Sequence, residues 1–300
     1  MKILVTGKSG QVGYELERSL QGLGEIVALD RNQMDLSNLD QVRDVIRAVK
    51  PDLIINPAAY TAVDKAESEP ELAMRINGEA PGVMAEEAQR LGAAMIHYST
   101  DYVFDGTKSS AYTEEDRPNP QSVYGRTKLE GEKAVAQACP AHWIFRTSWV
   151  YGVHGGNFLK TILRLAKERE NIRIVADQAG APTWARTISR TTAAALRSSV
   201  PVADHILATA GIYNLCASGD TTWHGYAQHV VAQAQLQGLS LKLTSEAIEA
   251  ISTEAYPLPA PRPRNSRLAT HKLQNAFQLS LPDWQVDMDS CLSELIARNE

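Results

Sequence analysis

The 300-residue sequence predicts an α/β fold: a doubly wound parallel sheet followed by a smaller C-terminal α/β lobe. Three observations predict it. Over the first half, short runs that are apolar throughout alternate with longer amphipathic segments. A glycine-rich loop joins the first apolar run to the first helical segment, and the regular alternation weakens in the second half, where a proline-rich stretch interrupts it. A strand that is apolar on both faces needs cover on both faces, which is the situation of a parallel sheet between two helical layers.

Taken in order, "KILVTG" (2–7), "EIVALD" (25–30), "DLIINPAA" (52–59) and "AMIHYST" (94–100) read as strands, with "HWIFRTSWVYG" (142–152) as a fifth. Between them "QVGYELERSLQGLG", "NLDQVRDVIRAVK" and "EPELAMRINGEAPGVMAEEAQRLG" carry helical spacing, as does "SVYGRTKLEGEKAV" (122–135). Such alternation implies right-handed βαβ units. In the second half "NFLKTILRLAKERE" and "TISRTTAAALRSS" read as helices and "NIRIVADQ" and "GIYNLCAS" as strands, with a further helix around 222–237. The stretch "AYPLPAPRPRNSRL" (255–268) cannot be regular, because its prolines fix φ and remove donors.

Composition excludes several classes of function. At 44% hydrophobic and 22% charged residues the chain can bury a substantial core. A net charge of −5 argues against nucleic acid and anionic membrane surfaces as partners. The N-terminus turns glycine-rich after six residues, too short for a signal-peptide core, and no later run approaches a membrane span. Cys139, Cys216 and Cys291 lie far apart without any CxxC spacing, which points to free thiols in a reducing cytoplasm rather than disulfides or zinc. The histidines are scattered, and His224 and His229 do not share a helix face, so no metal is expected.

"VTGKSGQVG" places Gly7, Gly10 and Gly13 directly after the first strand and at the mouth of a helix. In that place Gly7 permits a tight turn, Gly10 lets backbone approach a pyrophosphate, and Gly13 lets helix and strand pack. The helix N-terminus then offers free N–H groups to phosphate. Asp30 ends the second strand 17 residues after Gly13, where an acid can accept both ribose hydroxyls of an adenosine. This is the pattern of a Rossmann-type dinucleotide site. Asp30 favours NADH, whereas Arg31 and Lys8 could hold a 2′-phosphate, so NADH and NADPH both stay open. Asp35 and Leu36 are placed to border the adenine, and "AAYTAVDKAE" (58–67) to line the cofactor's far side. We expect an NAD(P)-binding domain over 1–150, completed by return segments from the C-terminal half, and a mainly substrate-binding lobe over 151–300.

Tyr124 and Lys128 stand one turn apart on one helix face. An ammonium beside a phenol stabilises the phenolate and would lower the phenol's pKa from about 10. Thr100, at the C-terminal end of the fourth strand, offers a further hydroxyl at the edge where open parallel sheets bind ligands. The Tyr-x-x-x-Lys spacing alone is common by chance. Its conjunction with a glycine loop and a strand-end threonine, in that order, is much rarer.

With these residues in place the chain resembles the extended short-chain dehydrogenase/reductase superfamily over essentially its full length. Within it, the chain is most similar to the subfamily that reduces the C4 keto group of dTDP-4-dehydro-L-rhamnose with NAD(P)H. The resemblance rests on "GKSGQVGYEL" (7–16), "AAYTAVDKAE" (58–67), "HYSTDYVFDG" (97–106), "VYGRTKLEGE" (123–132), "RTSWVYG" (146–152), "NFLKTILRLAKE" (157–168), "DQAGAPT" (177–183) and "PRPRNSRL" (261–268). It implies that Tyr124 is the catalytic acid, assisted by Lys128 and Thr100. It implies that Thr100, Asp101 and Trp149 meet the sugar, and that Gln11, Val12, Asp30, Asp35, Leu36, Ala59, Tyr60, Thr61 and Tyr98 border the cofactor. Tyr60 departs from the family's histidine, a change expected to alter packing rather than chemistry. Sister dehydratases resemble Thr-Asp-Glu at this strand end; Thr100-Asp101-Tyr102 lacks the elimination base.

A nucleoside-diphosphate sugar brings two phosphate charges to an acidic chain. Arg262, Arg264 and Arg267 lie in the proline-stiffened loop, and Arg262, flanked by two prolines, is the preferred phosphate ligand. An exposed basic loop is the other reading. Asn157 either caps the helix it starts or reaches the pyrophosphate. Trp149 is either core or a stacking wall for the sugar. "NFLKTILRLAKERE" and the C-terminal "SCLSELIARNE" have core spacing, and because helix pairs in this superfamily often build dimers, a homodimer stays open. Two other functions also stay open: a non-catalytic cofactor-binding subunit, against which the retained Tyr124, Lys128 and Thr100 argue, and a reductase of another nucleotide-linked keto sugar.

Overall fold

The computed structural model describes residues 1–197 and 200–298. Strand β1 (Lys2–Val5) leads through helix α1 (Gln11–Ser19) to β2 (Glu25–Ala28), and α2 (Leu39–Val49) leads to β3 (Leu53–Asn56). Then follow α3 (Val63–Ala66), α4 (Pro70–Met74), α5 (Ala80–Leu91), β4 (Ala94–Thr100), α6 (Val123–Ala138) and β5 (His142–Thr147). These five strands and a sixth, Gly211–Asn214, pair in parallel in the order 211–214, β5, β4, β3, β1, β2. Winding reverses between β1 and β3, and a crevice opens at such a switch point beyond the strands' C-terminal ends.

The unbroken apolar character of the strands follows from this layering. Ile3, Val5, Leu53, Ile55, Ile96, Trp143 and Phe145 pack with α1 and α8 (Ala185–Ala195) on one face. Their alternates Leu4, Ile54, Met95 and Ile144 pack with α2, α5 and α6 on the other. Helix α8 packs on this sheet and the strand Gly211–Asn214 pairs with β5, both from the second half of the chain. A second core belongs to the lobe, where α7 (Phe158–Glu168) packs with helices Trp223–Leu236 and Trp284–Ala297 around Tyr226 and Trp284. Ile172–Val175 pairs there with Ile248–Ile251.

Three details differ from the sequence reading. The long helical run before β4 is broken by a π turn, Arg75–Glu79, between α4 and α5. Buried Asn77 in that turn accepts from Tyr60 N at 2.8 Å and donates to Tyr60 O at 3.1 Å and Thr127 Oγ1 at 3.2 Å. A widened turn that aims one side chain at the backbone of a loop leaves no mark in apolar periodicity. The strand expected over 142–152 ends at Thr147 and resumes only at Val150–Tyr151, because Trp149 between them has φ 47°. The helix read from "TISRTTAAALRSS" ends at Ala195; Ser198 and Ser199 of it, and the last two residues of "SCLSELIARNE", lie outside the described residues. Within 255–268 the chain is irregular, held by single bridges from Asn265 to Ala179 and from Leu268 to Tyr112. Among the described residues no helix is long and apolar enough to cross a membrane.

Helix α6 is fastened to β5 by a buried ion pair. Arg146 Nε and Nη2 donate to the two Glu132 oxygens at 2.9 and 2.7 Å, and the side chains are 2% and 3% exposed. Removing one partner would strand a desolvated charge. Glu132→Leu should therefore lower unfolding free energy by about 3–5 kcal/mol, and adding Arg146→Met should recover most of that loss. Urea unfolding of the two variants checks this; equal losses would refute it.

Candidate active site

The glycine loop forms a cradle whose tightness is written in its contacts. Gly7 sits at φ 60°, and Gly10 N donates to Gly7 O at 2.9 Å. A Cβ on Gly13 would lie 2.1 Å from Gly7 O, so no larger residue lets α1 press against the turn. Gly10 is the N-cap and has no side chain to occupy the first N–H groups of α1, which are left for an anion. Beside the cradle Gln11 donates to Val150 O at 3.3 Å and accepts from Asn157 Nδ2 at 3.0 Å, and Val12 packs against the sheet core.

At the end of β2 an acid and cations meet. Asp30 accepts from Asn32 N at 2.9 Å and lies 3.8 Å from Lys8 Nζ, which itself donates to Gln33 at 2.8 Å. Arg31 pairs with Asp35 at 3.7 Å. The Asp35 carboxylate is further engaged by Ser37, through its N at 3.0 Å and its hydroxyl at 2.8 Å. Leu36, expected against the adenine, instead gives its side chain to the core formed with Met34, Val42 and Ile46. Past β3, Ala59 and Tyr60 are partly exposed and Thr61 exposed. The Tyr60 hydroxyl donates to Glu69 at 2.6 Å. Tyr98 also differs from its expected place. Its ring is 5% exposed and packs on Phe145, its hydroxyl is bonded to Thr192 at 2.7 Å, and only its carbonyl reaches the site.

That carbonyl holds the lysine. Lys128 Nζ donates to Tyr98 O at 2.6 Å and lies 3.3 Å from His97 Nε2. Burial pulls the amine down to about 8. Tyr124, half-buried on the same helix face, meets the Tyr102 ring edge-on at 5.4 Å. Its phenol is pushed up to about 12 by burial, while the Thr100 hydroxyl pulls it back and the Asp101 charge adds to the rise. The Lys128 amine, expected from spacing to act on this phenol, makes its contacts with Tyr98 O and His97. The phenol therefore carries its proton throughout the neutral range and is set up to donate. Thr100 donates to Asp101 Oδ1 at 2.9 Å, and Asp101 Oδ2 is buried without a hydrogen-bond partner.

Two glycines that the motif reading passed over bring α6 to these groups. A Cβ on Gly125 would lie 2.2 Å from Tyr102 O, and one on Gly131 2.1 Å from Asn77 O. Glycine inside a helix costs about 1 kcal/mol, so two of them in "VYGRTKLEGE" were a legible sign of close approach. His97, a lone imidazole in an apolar strand, was a second sign.

On the substrate side the expected residues are more committed. Trp149 stacks on Trp223 at 3.7 Å, 13° from parallel, with Gly180 against its ring. Asn157 caps α7 by accepting from Lys160 N at 3.1 Å, and its Nδ2 is spent on Gln11 and on Gly152 O at 2.7 Å. Arg262 lies near enough to Tyr102 for its charge to act on that phenol, and is held by Asp64 at 2.7 Å and Ala260 O at 3.0 Å. Arg264 pairs with Glu254, and Arg267 with Asn265 and Ser109 O. Among the described residues no cluster of three or more His, Cys, Asp or Glu could hold a metal ion.

Known proteins resemble this chain over nearly its full length. The family model described as RmlD substrate binding domain matches residues 1–297. A dTDP-4-dehydrorhamnose reductase of Escherichia coli (strain K12) is 50% identical over 299 residues, covering 98% of both chains. One from Burkholderia thailandensis is 48% identical over 298 residues, covering 99% of this chain and all of that protein. Among solved structures, the dTDP-4-dehydrorhamnose reductase of Bacillus anthracis in complex with NADP superposes with TM-score 0.87 at 33% identity, covering 98% and 99% of the two chains. The chain belongs to the dTDP-4-dehydrorhamnose reductase family.

Asp101 generates a prediction about stability. Burial pushes its carboxyl up to about 6, against the Ser266 and Thr100 hydroxyls, so between about pH 4 and 6 the folded chain binds a proton that the unfolded chain releases. Stability then falls as pH rises through that window, by about 2–3 kcal/mol. Urea unfolding across the window should show this slope in the wild type and lose it in Asp101→Asn. An unchanged slope in the variant would refute the assignment.

Proposed function

We propose that this chain reduces the C4 keto group of dTDP-4-dehydro-L-rhamnose to dTDP-L-rhamnose with NAD(P)H. The observation that carries the reading is the protonated Tyr124 phenol beside Thr100, at the end of β4 and on the same sheet edge as the glycine cradle. Family membership supports the identity of the sugar. The cradle fits a dinucleotide, since a side chain at Gly13 would collide with the turn that must admit the pyrophosphate. When bound, the reduced nicotinamide supplies a hydride.

The chain's own residues supply the rest. Tyr124 gives its proton to the sugar oxygen as negative charge develops there, which is general acid catalysis. Thr100, whose hydroxyl pulls the phenol's pKa down, stands at the strand end and can turn the same hydroxyl to the sugar oxygen. Asp101 Oδ2, buried and unpartnered, is placed to engage a sugar hydroxyl. Lys128, anchored to the Tyr98 carbonyl, is the residue that would hold the nicotinamide ribose. Trp149 and Trp223 form an aromatic wall for the sugar, and Arg262 serves the pyrophosphate, exchanging its Asp64 contact for phosphate. Tyr102 follows Thr100 and Asp101 where the sister dehydratases resemble Thr-Asp-Glu, so the carboxylate that would serve as elimination base is replaced by a phenol. Three buried free cysteines suit a reducing cytoplasm as its location.

The test follows loss of NADPH or NADH absorbance with the keto sugar. Tyr124→Phe should lower kcat by about 10²–10⁴-fold with cofactor affinity nearly unchanged. Turnover like that of the wild type would overturn the assignment.

A further inference from the structure

Beneath the crevice a file of buried polar side chains runs across three strands to Lys128, and the reaction described above uses none of them. Ala58 N donates to Thr6 Oγ1 at 3.3 Å, and Thr6 Oγ1 donates to Asn56 Oδ1 at 2.6 Å. Asn56 Nδ2 lies 3.2 Å from His97 Nδ1, and His97 Nε2 lies 3.3 Å from Lys128 Nζ. Thr6, Asn56, His97 and Lys128 are each at most 2% exposed, so every one of these contacts is made away from water. An unsatisfied group in such a place is costly.

The file has a direction. The single proton of the Thr6 hydroxyl has its acceptor in Asn56 Oδ1, which turns the Asn56 NH₂ toward His97. Nδ1 must then accept, and a neutral imidazole whose Nδ1 accepts carries its proton on Nε2. That N–H points at Lys128 Nζ. An ammonium would oppose it donor to donor, whereas an amine can receive it with a lone pair. His97 itself is held well below its ordinary pKa, first by burial and then by the Lys128 charge, which together outweigh a backbone hydrogen bond at Asn56 that favours its protonation and keep it neutral. The other ionisable groups about the amine are Tyr124 one turn back in α6 and Glu132 one turn on. Glu132 favours the ammonium, although it is shared with Arg146 of β5, and Asp101 after β4 acts on the phenol. At residue 131 it is the Asn77 carbonyl oxygen, 2.1 Å from where a Cβ would lie, that requires glycine; His97 Nε2 would meet the same Cβ at an ordinary 3.5 Å.

We propose that His97, its tautomer set by Asn56 and Thr6, is a positioning residue that fixes the Lys128 amine against the Tyr98 carbonyl. The proposal rests on the reductase reading for its meaning, but its structural half can be tested without activity. Long-range ¹H–¹⁵N spectra of the full chain labelled at histidine should show a pyridine-type Nδ1 and a pyrrole-type Nε2 for His97. That pattern should persist from about pH 6 to about pH 9, across the range where an ordinary histidine titrates. A pyrrole-type Nδ1, or a titrating His97, overturns the proposal whatever the enzyme reduces. In kinetics, His97→Gln can turn its amide oxygen to the ammonium. The alkaline limb of kcat/KM should then move up by about one pH unit, a tenfold gain in proton affinity. A variant that only loses activity, with the limb unmoved, would make His97 merely structural and overturn the proposal.

Discussion

The site depends on how closely one helix can approach one strand end. Helix α6 carries Tyr124 and Lys128, and both are useful only if its backbone nearly touches the chain beyond β4 and the π turn before α5. Gly125 and Gly131 allow that contact, since a methyl group at either would overlap a carbonyl oxygen. From this approach follow the phenol beside Thr100, the lysine at the Tyr98 carbonyl, and the buried Glu132–Arg146 pair that fastens the helix from its far side. Asn77 completes the arrangement, tying α6 through Thr127 to the loop after β3.

The same closeness sets the chemistry. Lys128, His97, Tyr124 and Asp101 all lie in surroundings that disfavour charge, and each is displaced toward its neutral form. For a reaction that ends with a proton delivered to an alkoxide, a phenol that keeps its proton is the right starting state. Functional sites often hold such destabilised groups, and the surrounding fold must over-determine them. Here the sheet core on both faces does so, together with Arg186, which joins Glu15 of α1 to Glu294 of the C-terminal helix.

Much was legible in the letters. Strands covered on both faces must be apolar at every position, so "KILV", "LIIN" and "AMIHYST" announced a parallel sheet between helices. The glycine loop, Asp30 and the Tyr-x-x-x-Lys spacing placed a dinucleotide site on its C-terminal edge. Periodicity failed at Arg75–Glu79, where a π turn shifts the helix by one residue without changing its composition. It failed again at Trp149, whose left-handed backbone belongs to a residue type that does not advertise it.

By itself, then, the sequence determined the layered α/β fold, the family, and the candidate acid with its lysine, because local spacing and burial on two faces are properties of the chain order. Tertiary structure alone decided which atoms meet. It set Lys128 against the Tyr98 carbonyl and His97, and buried Leu36 and the Tyr98 ring in the core. It also spent the Asn157 amide on the glycine loop and handed Arg262 to Asp64. Hydrogen-bond partners and proton affinities depend on distances between residues far apart in sequence. No spacing rule carries those distances, and here they were set by two glycines that let one helix come close.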